Sequence, residues 1–246
     1  MEENKFKLPT EVVELPSKGL LYPEGNPLRE GKVEMKYMTA KEEDILTNQN
    51  YISKGIVLDK LLEALTMGKI DIKDIIPGDK NAILIASRVL GYGKDYSFMY
   101  NGKEYTVDLT TIENKPFDTT SLTPKGTLFY TLPNSGNKIE FKILTSKDEE
   151  KIKQEIEGFK KINKESSSEI TTKLKYQIVS IDNNPDRNNI KDFVDNYLLA
   201  SDSRALRLYM LSVSPDIDLN YRINIDGVEE DINIPINLNF FWPDLK

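Results

Sequence analysis

Lys32-Val33-Glu34-Met35-Lys36-Tyr37-Met38-Thr39-Ala40-Lys41-Glu42-Glu43-Asp44 is matched further along the chain by Lys138-Ile139-Glu140-Phe141-Lys142-Ile143-Leu144-Thr145-Ser146-Lys147-Asp148-Glu149-Glu150. Six of the thirteen paired positions are identical, and most of the others are conservative exchanges. In the first copy Val33, Met35 and Tyr37 alternate with charged residues; in the second Ile139, Phe141 and Ile143 do the same. That period of two predicts a half-buried strand. Thr39 then precedes Glu42 by three positions, as Thr145 precedes Asp148. A hydroxyl at the N-cap and an acid three residues on can satisfy the free amides of a helix start. Each copy therefore predicts a strand running into a helix. Similar leaders come before them, Leu15-Pro16-Ser17-Lys18-Gly19 and Leu132-Pro133-Asn134-Ser135-Gly136, with extra residues around Leu21–Gly25 in the first.

Working outward, both halves end in hairpins. Asn101-Gly102, as a two-residue turn with positive φ at both positions, pairs Phe98 with Tyr105 and Tyr96 with Val107. Asp226-Gly227 pairs Tyr221 with Ile232 and Leu219 with Ile234 by the same arithmetic. Between strand and hairpin the patterns are helical. Ile56, Leu58, Leu61, Leu62 and Leu65 mark a helix closed by Gly68; Asp79 opens another, with Ile83, Ala86 and Leu90 on one face and Gly91 after its end. In the second half Ile152, Ile156 and Phe159 form a stripe beside Glu149–Lys153 and Glu157–Lys161 pairs. Ser166-Ser167-Ser168 reads as a break, followed by helices through Ile170-Leu174-Ile178-Ile181, Ile190–Leu199 and Ala205–Leu211. The expected fold is α+β, with two related modules of strand, helices and β-hairpin. Residues 1–112 form the first, 113–127 the junction, and 128–246 the second with its aromatic C-terminus.

Composition narrows function by exclusion. The 246 residues carry 33 basic and 40 acidic side chains, a net charge of -7, which disfavours a nucleic-acid groove. With neither cysteine nor histidine, disulfides, thiolate nucleophiles, imidazole bases and zinc sites of the usual ligands are unavailable. The polar start Met1-Glu2-Glu3-Asn4-Lys5 does not read as a signal peptide, and no apolar run is long enough for a bilayer.

The remaining constellations are weak as chemistry. Gly91-Tyr92-Gly93-Lys94 follows a helix instead of opening one, so it presents no helix-start amides to a phosphate and reads as a C-cap. Asp216 and Asp218, after Pro215, are turn and cap residues unless a cleft sets them across a substrate, as a glycosidase requires. Glu229-Glu230-Asp231 reads as a solvent-facing acidic run without the spacing of a calcium loop. Ser17-Lys18 and Ser53-Lys54 lack the longer signatures of serine–lysine hydrolases. Phe240-Phe241-Trp242-Pro243 places three large aromatics, including the single tryptophan, near the C-terminal end. Such apolar weight needs a pocket, either in the chain's own core or in a partner's groove.

Several of these segments, taken in order, resemble the T4-like bacteriophage baseplate family of hub subunits and hub-assembly proteins. The landmarks are Leu15, Pro16 and Gly19 with Tyr22-Pro23, then Met38–Glu43, then Arg88 with Gly91-Tyr92-Gly93. Leu132–Gly136, Ser214–Asp218 and Phe240–Pro243 complete the set. The resemblance implies a non-enzymatic structural or assembly role in a contractile-tail baseplate, in contact with other baseplate or hub proteins. It implies a place in the virion tail or in the host cytoplasm during assembly and supplies no catalytic residue; the absence of cysteine and histidine leads to the expectation of no metal or cofactor, and the acidic balance and lack of a long apolar run to that of neither nucleic acid nor membrane as partner. Relatives carry CxxC pairs at the two hairpins; here Asn101-Gly102 and Asp226-Gly227 stand there, so no zinc role carries over. The rival expectation is a tail-associated polysaccharide or cell-wall hydrolase.

Overall fold

A computed structural model describes residues 9–162, 168–225 and 228–241. Strand β1 (Thr10–Glu14) pairs antiparallel with β2 (Lys32–Lys36), placing Val13 opposite Val33 and Glu11 opposite Met35. The alternation works as read: Val33 and Met35 are buried, while their charged neighbours take the other face. Helices α1 (Ala40–Leu46), α2 (Gln49–Ser53) and α3 (Val57–Leu65) follow. The amide of Gly68 bonds back to Glu63, ending α3 as its sequence predicts.

Helix α4 (Pro77–Tyr92) is the longest in the first half. It differs from the sequence reading at both ends. Pro77 opens it, a position where the missing N–H costs nothing, so Asp79 lies inside its first turn and is not the cap. At the other end Gly91 lies within the helix, against Met38, and Gly93 caps it by donating to Val89. Strands β3 (Asp95–Tyr100) and β4 (Lys103–Asp108) form the first hairpin with Phe98 opposite Tyr105 and Tyr96 opposite Val107. The turn arithmetic gives that register.

The second half starts with β5 (Leu128–Thr131) paired to β6 (Lys138–Phe141). Helix α5 (Ser146–Ile162) and α6 (Glu169–Gln177) follow, and Glu149 pairs across to Lys173 of α6 at 3.0 Å. Ser168 holds the N-cap position of α6; Ser166 and Ser167 lie outside the described residues. Here one sequence expectation is corrected. Ile178 and Ile181 do not prolong a helix but belong to β7 (Ile178–Ile181), antiparallel to β6 with Ile139 opposite Ile181. The edge of β6 accounts for the switch. Pairing satisfies its backbone, Ser180 donates to Glu140 at 2.8 Å, and both isoleucines are buried. Helix α7 (Arg187–Asp192) runs on through a π-turn over Phe193–Tyr197, and α8 (Ala200–Val213) starts five residues earlier than its apolar stripe indicates. Strands β8 (Asn220–Ile225) and β9 (Val228–Asn233) pair Tyr221 with Ile232, and Ile234 donates to Leu219 beyond the ladder. The turn residues Asp226 and Gly227 lie outside the described residues. Helices and antiparallel strands in separate stretches make the fold α+β.

Two apolar clusters hold these elements. The second is built from residues of 128–213, including Phe141, Ile178, Leu206 and Met210. The first draws on residues 15–109 and also on Ile217, Ile234, Phe240 and Phe241 from the far end of the chain.

Candidate functional site

Helix α4 is where the distant parts of the chain meet. Its Asp79 is fully buried. Oδ1 accepts the Ser17 amide at 2.9 Å; Oδ2 accepts the Ser17 hydroxyl at 2.6 Å and the Tyr22 hydroxyl at 2.7 Å. Tyr22 Oη in turn accepts the Ile76 amide at 3.2 Å, just before the helix starts. Burial pushes the Asp79 carboxyl above the usual range, against the hydrogen bonds from Ser17 and Tyr22 that pull it down. Tyr22 is raised by burial first and then by the Asp79 charge. The leader loop can reach this position because Gly19 has φ +74°, and a Cβ there would lie 2.3 Å from the Arg29 carbonyl oxygen. Leu15, Pro16 and Gly19 are buried with it, whereas Pro23 is exposed.

The other end of α4 is anchored by Arg88, 1% exposed. Its Nε donates to the Phe240 carbonyl at 3.0 Å, and Nη1 to the Gly93 carbonyl at 2.9 Å. Its guanidinium also lies over the Tyr92 ring, 5.3 Å from the centroid. One side chain thus joins α4, the entry to the first hairpin and the C-terminal segment. Phe240 and Phe241 are both fully buried in the first cluster, Phe240 packing 4.8 Å from Tyr96 and 5.4 Å from Phe241 between centroids. Trp242 and Pro243 lie outside the described residues.

Between these anchors, Ser214–Asp218 crosses the start of α4. A Cβ at Gly78 would fall 1.9 Å from the Pro215 carbonyl oxygen, so only glycine allows the approach. Asn81 donates to Asp216 Oδ1 at 3.1 Å, and the Lys115 amide to the Asp216 carbonyl at 2.8 Å. Asp218 accepts from Asn220, amide and side chain. These two carboxylates serve a helix contact and a turn. Of the acidic run in β9, Asp231 pairs with Arg222 at 2.9 Å and Glu230 accepts from Tyr100 at 3.3 Å, linking the two hairpins.

A second carboxylate lock holds the other leader. Asp202, third in α8 as Asp79 is third in α4, is fully buried. It accepts the Asn134 amide at 2.9 Å, the Asn134 side-chain amide at 2.8 Å and the Ser135 amide at 3.0 Å. Burial works to raise Asp202, but the bonds from Asn134 and Ser135 outweigh it and hold it below the ordinary range. The helix starts following the two strands are built alike as well. Thr39 donates to Glu42 from its amide at 3.0 Å and its hydroxyl at 2.7 Å, and Lys36 reaches Glu42 at 2.7 Å. Thr145 donates to Asp148 at 3.1 and 3.2 Å, with Lys142 at 2.7 Å. At Glu42 and Asp148 burial raises the carboxyl, but the lysine and threonine bonds win and lower it.

The roles of Asp79, Asp202 and Arg88 are absent from the sequence reading. The only local signal of Asp79 and Asp202 is an acid in the first turn of a helix, which a favourable helix dipole explains without any tertiary partner, and Arg88 stands in the sequence only as a landmark of the resemblance. No protein-family model, curated protein or solved structure matches the chain.

Proposed function

We propose that the chain is a non-enzymatic structural or assembly protein of a contractile-tail baseplate hub, working through contacts with other baseplate proteins. One observation supports this reading above the rest. The residues that carry the resemblance, Ser17 of the leader with Tyr22, Arg88, Pro215-Asp216 and Phe240-Phe241, converge on α4 and direct their polar groups to the chain's own framework. Their spacing along the sequence is then explained as the spacing of a scaffold. Exposed apolar side chains on the second half, Leu208 and Leu211 on α8 and Ile170 on α6, suit a surface that meets protein. Mass spectrometry of purified virions and of tail-assembly intermediates tests the proposal. A stoichiometric virion signal indicates a permanent subunit, and a signal confined to intermediates indicates an assembly factor. Absence from both refutes the role.

We also propose that the two halves are copies of one module. The paired Thr–acid–Lys helix starts, the two leader loops held by Asp79 and Asp202, and the hairpin following each of those helices support it. An experimentally determined structure in which Glu34 and Asp79 fail to superpose together on Glu140 and Asp202 refutes the duplication.

A further inference from the structure

Where α6 and α8 meet the start of α4, the surface opens into a cavity of about 490 Å³. Its walls are mainly apolar and include Leu144, Leu174 and Met210. Two lining side chains project from it instead of closing it: Ile170 of α6 is 50% exposed and Leu211 of α8 is 75% exposed. Leu208, one turn back along α8, is 57% exposed and widens the apolar surface. The charges around the cavity fall into two sets. Glu149 is taken by Lys173 at 3.0 Å, and Asp216 accepts from Asn81. Glu169, beside Ile170, and Arg207, one turn before Leu211, form no ion pair among the described residues; Arg207 Nε donates only to the Ser203 carbonyl of its own helix.

We propose that a second copy of this chain docks here, about a twofold axis that sets α8 of each copy against α6 of the other. One patch holds both members of each complementary pair: a projecting leucine beside a cavity, and an unpaired cation beside an unpaired acid. An isologous interface needs that self-complementarity, because each of its contacts occurs twice. Leu211 of each copy enters the other's cavity, against Ile170, and Arg207 of each faces Glu169 of the other. A partner of one charge sign would leave either Glu169 or Arg207 unmatched, whereas a second copy matches both. Docking takes the apolar area of Ile170, Leu208 and Leu211 out of water, and the two charge pairs fix the register. A second copy thus gives an occupant to the exposed apolar surface of the second half, and its docking does not depend on a baseplate role.

Sedimentation equilibrium of the full chain over a concentration series tests the docking. A reversible monomer–dimer equilibrium is expected. Leu211→Gln sets an amide in the apolar cavity and should weaken the dimer by about tenfold or more. Arg207→Glu and Glu169→Arg should each weaken it by about tenfold or more, since each places like charges face to face twice. The double variant, Arg207→Glu with Glu169→Arg, restores opposite charges and should regain most of the parent affinity, which separates lost docking from lost folding. A chain that stays monomeric throughout overturns the inference; if other baseplate proteins still bind it, the assembly role stands without the dimer. A dimer that ignores Leu211→Gln, or one that the double exchange fails to restore, overturns it too.

Discussion

A buried carboxylate is costly unless its oxygens are fully used, and Asp79 and Asp202 show two balances of that cost. At Asp202 the donors include two backbone amides, from Asn134 and Ser135, and the carboxyl is held below its ordinary range. At Asp79 two of three donors are hydroxyls, and burial prevails. The two sites therefore respond differently to amide substitution. Asp79→Ala leaves the Ser17 amide, the Ser17 hydroxyl and the Tyr22 hydroxyl without their acceptor and should cost about 3 kcal/mol or more. Asp79→Asn keeps an acceptor and removes a buried charge, so it should cost about 1 kcal/mol. Urea unfolding midpoints measure the difference; equal losses would show that the leader loop does not depend on this hydrogen-bond set.

Among elements, the turn at Leu238–Phe241 holds the first half closed although it comes last among the described residues. Phe240 supplies an aromatic face to Tyr96 of β3, and its carbonyl accepts a hydrogen bond from Arg88 Nε. Phe240→Ala should cost about 3–5 kcal/mol by leaving a cavity. Its effect should extend beyond its own segment. Hydrogen exchange of the variant should show lost protection along β3 and at the end of α4, with β5–β7 little changed, because those strands pack in the second cluster. Uniform loss over both clusters would contradict the assignment of this turn to the first.

For the molecule as a whole, the titrating groups set the acid limit of stability. Glu42, Asp148 and Asp202 all have folded values below the ordinary ones, so their contribution is complete above the unfolded carboxyl range and is lost as pH falls through the folded values. Asp79 is raised and runs the opposite way: its contribution is complete below its unfolded value and is lost as pH rises through its folded value. Glu34, Asp108, Asp118 and Asp182 are lowered as well, so the lowered carboxyls outnumber the raised Asp79 and the melting temperature falls below about pH 4. Asp202→Asn should flatten that fall, and melting curves across the acid range measure it. An unchanged slope would mean that Asp202 titrates alike in the folded and unfolded chain.

What the sequence by itself determined about this protein is its short-range structure. Thr39 with Glu42 and Thr145 with Asp148 mark helix starts because both partners lie within one turn. The Asn101-Gly102 turn dictates the pairing of Phe98 with Tyr105, since a two-residue loop leaves a single register. The tertiary structure alone decided the rest. Ile178 and Ile181 fit a helical stripe as well as a strand, and the free edge of β6 chose the strand. Asp79 has the look of an ordinary first-turn acid, and its partner Ser17 lies 62 residues away. Arg88 has no local sign of its task, because the carbonyl it holds is 152 residues further on. Periodicity and capping carry information over a turn or two of chain, whereas a buried hydrogen bond between distant segments exists only once both have been packed against the same helix.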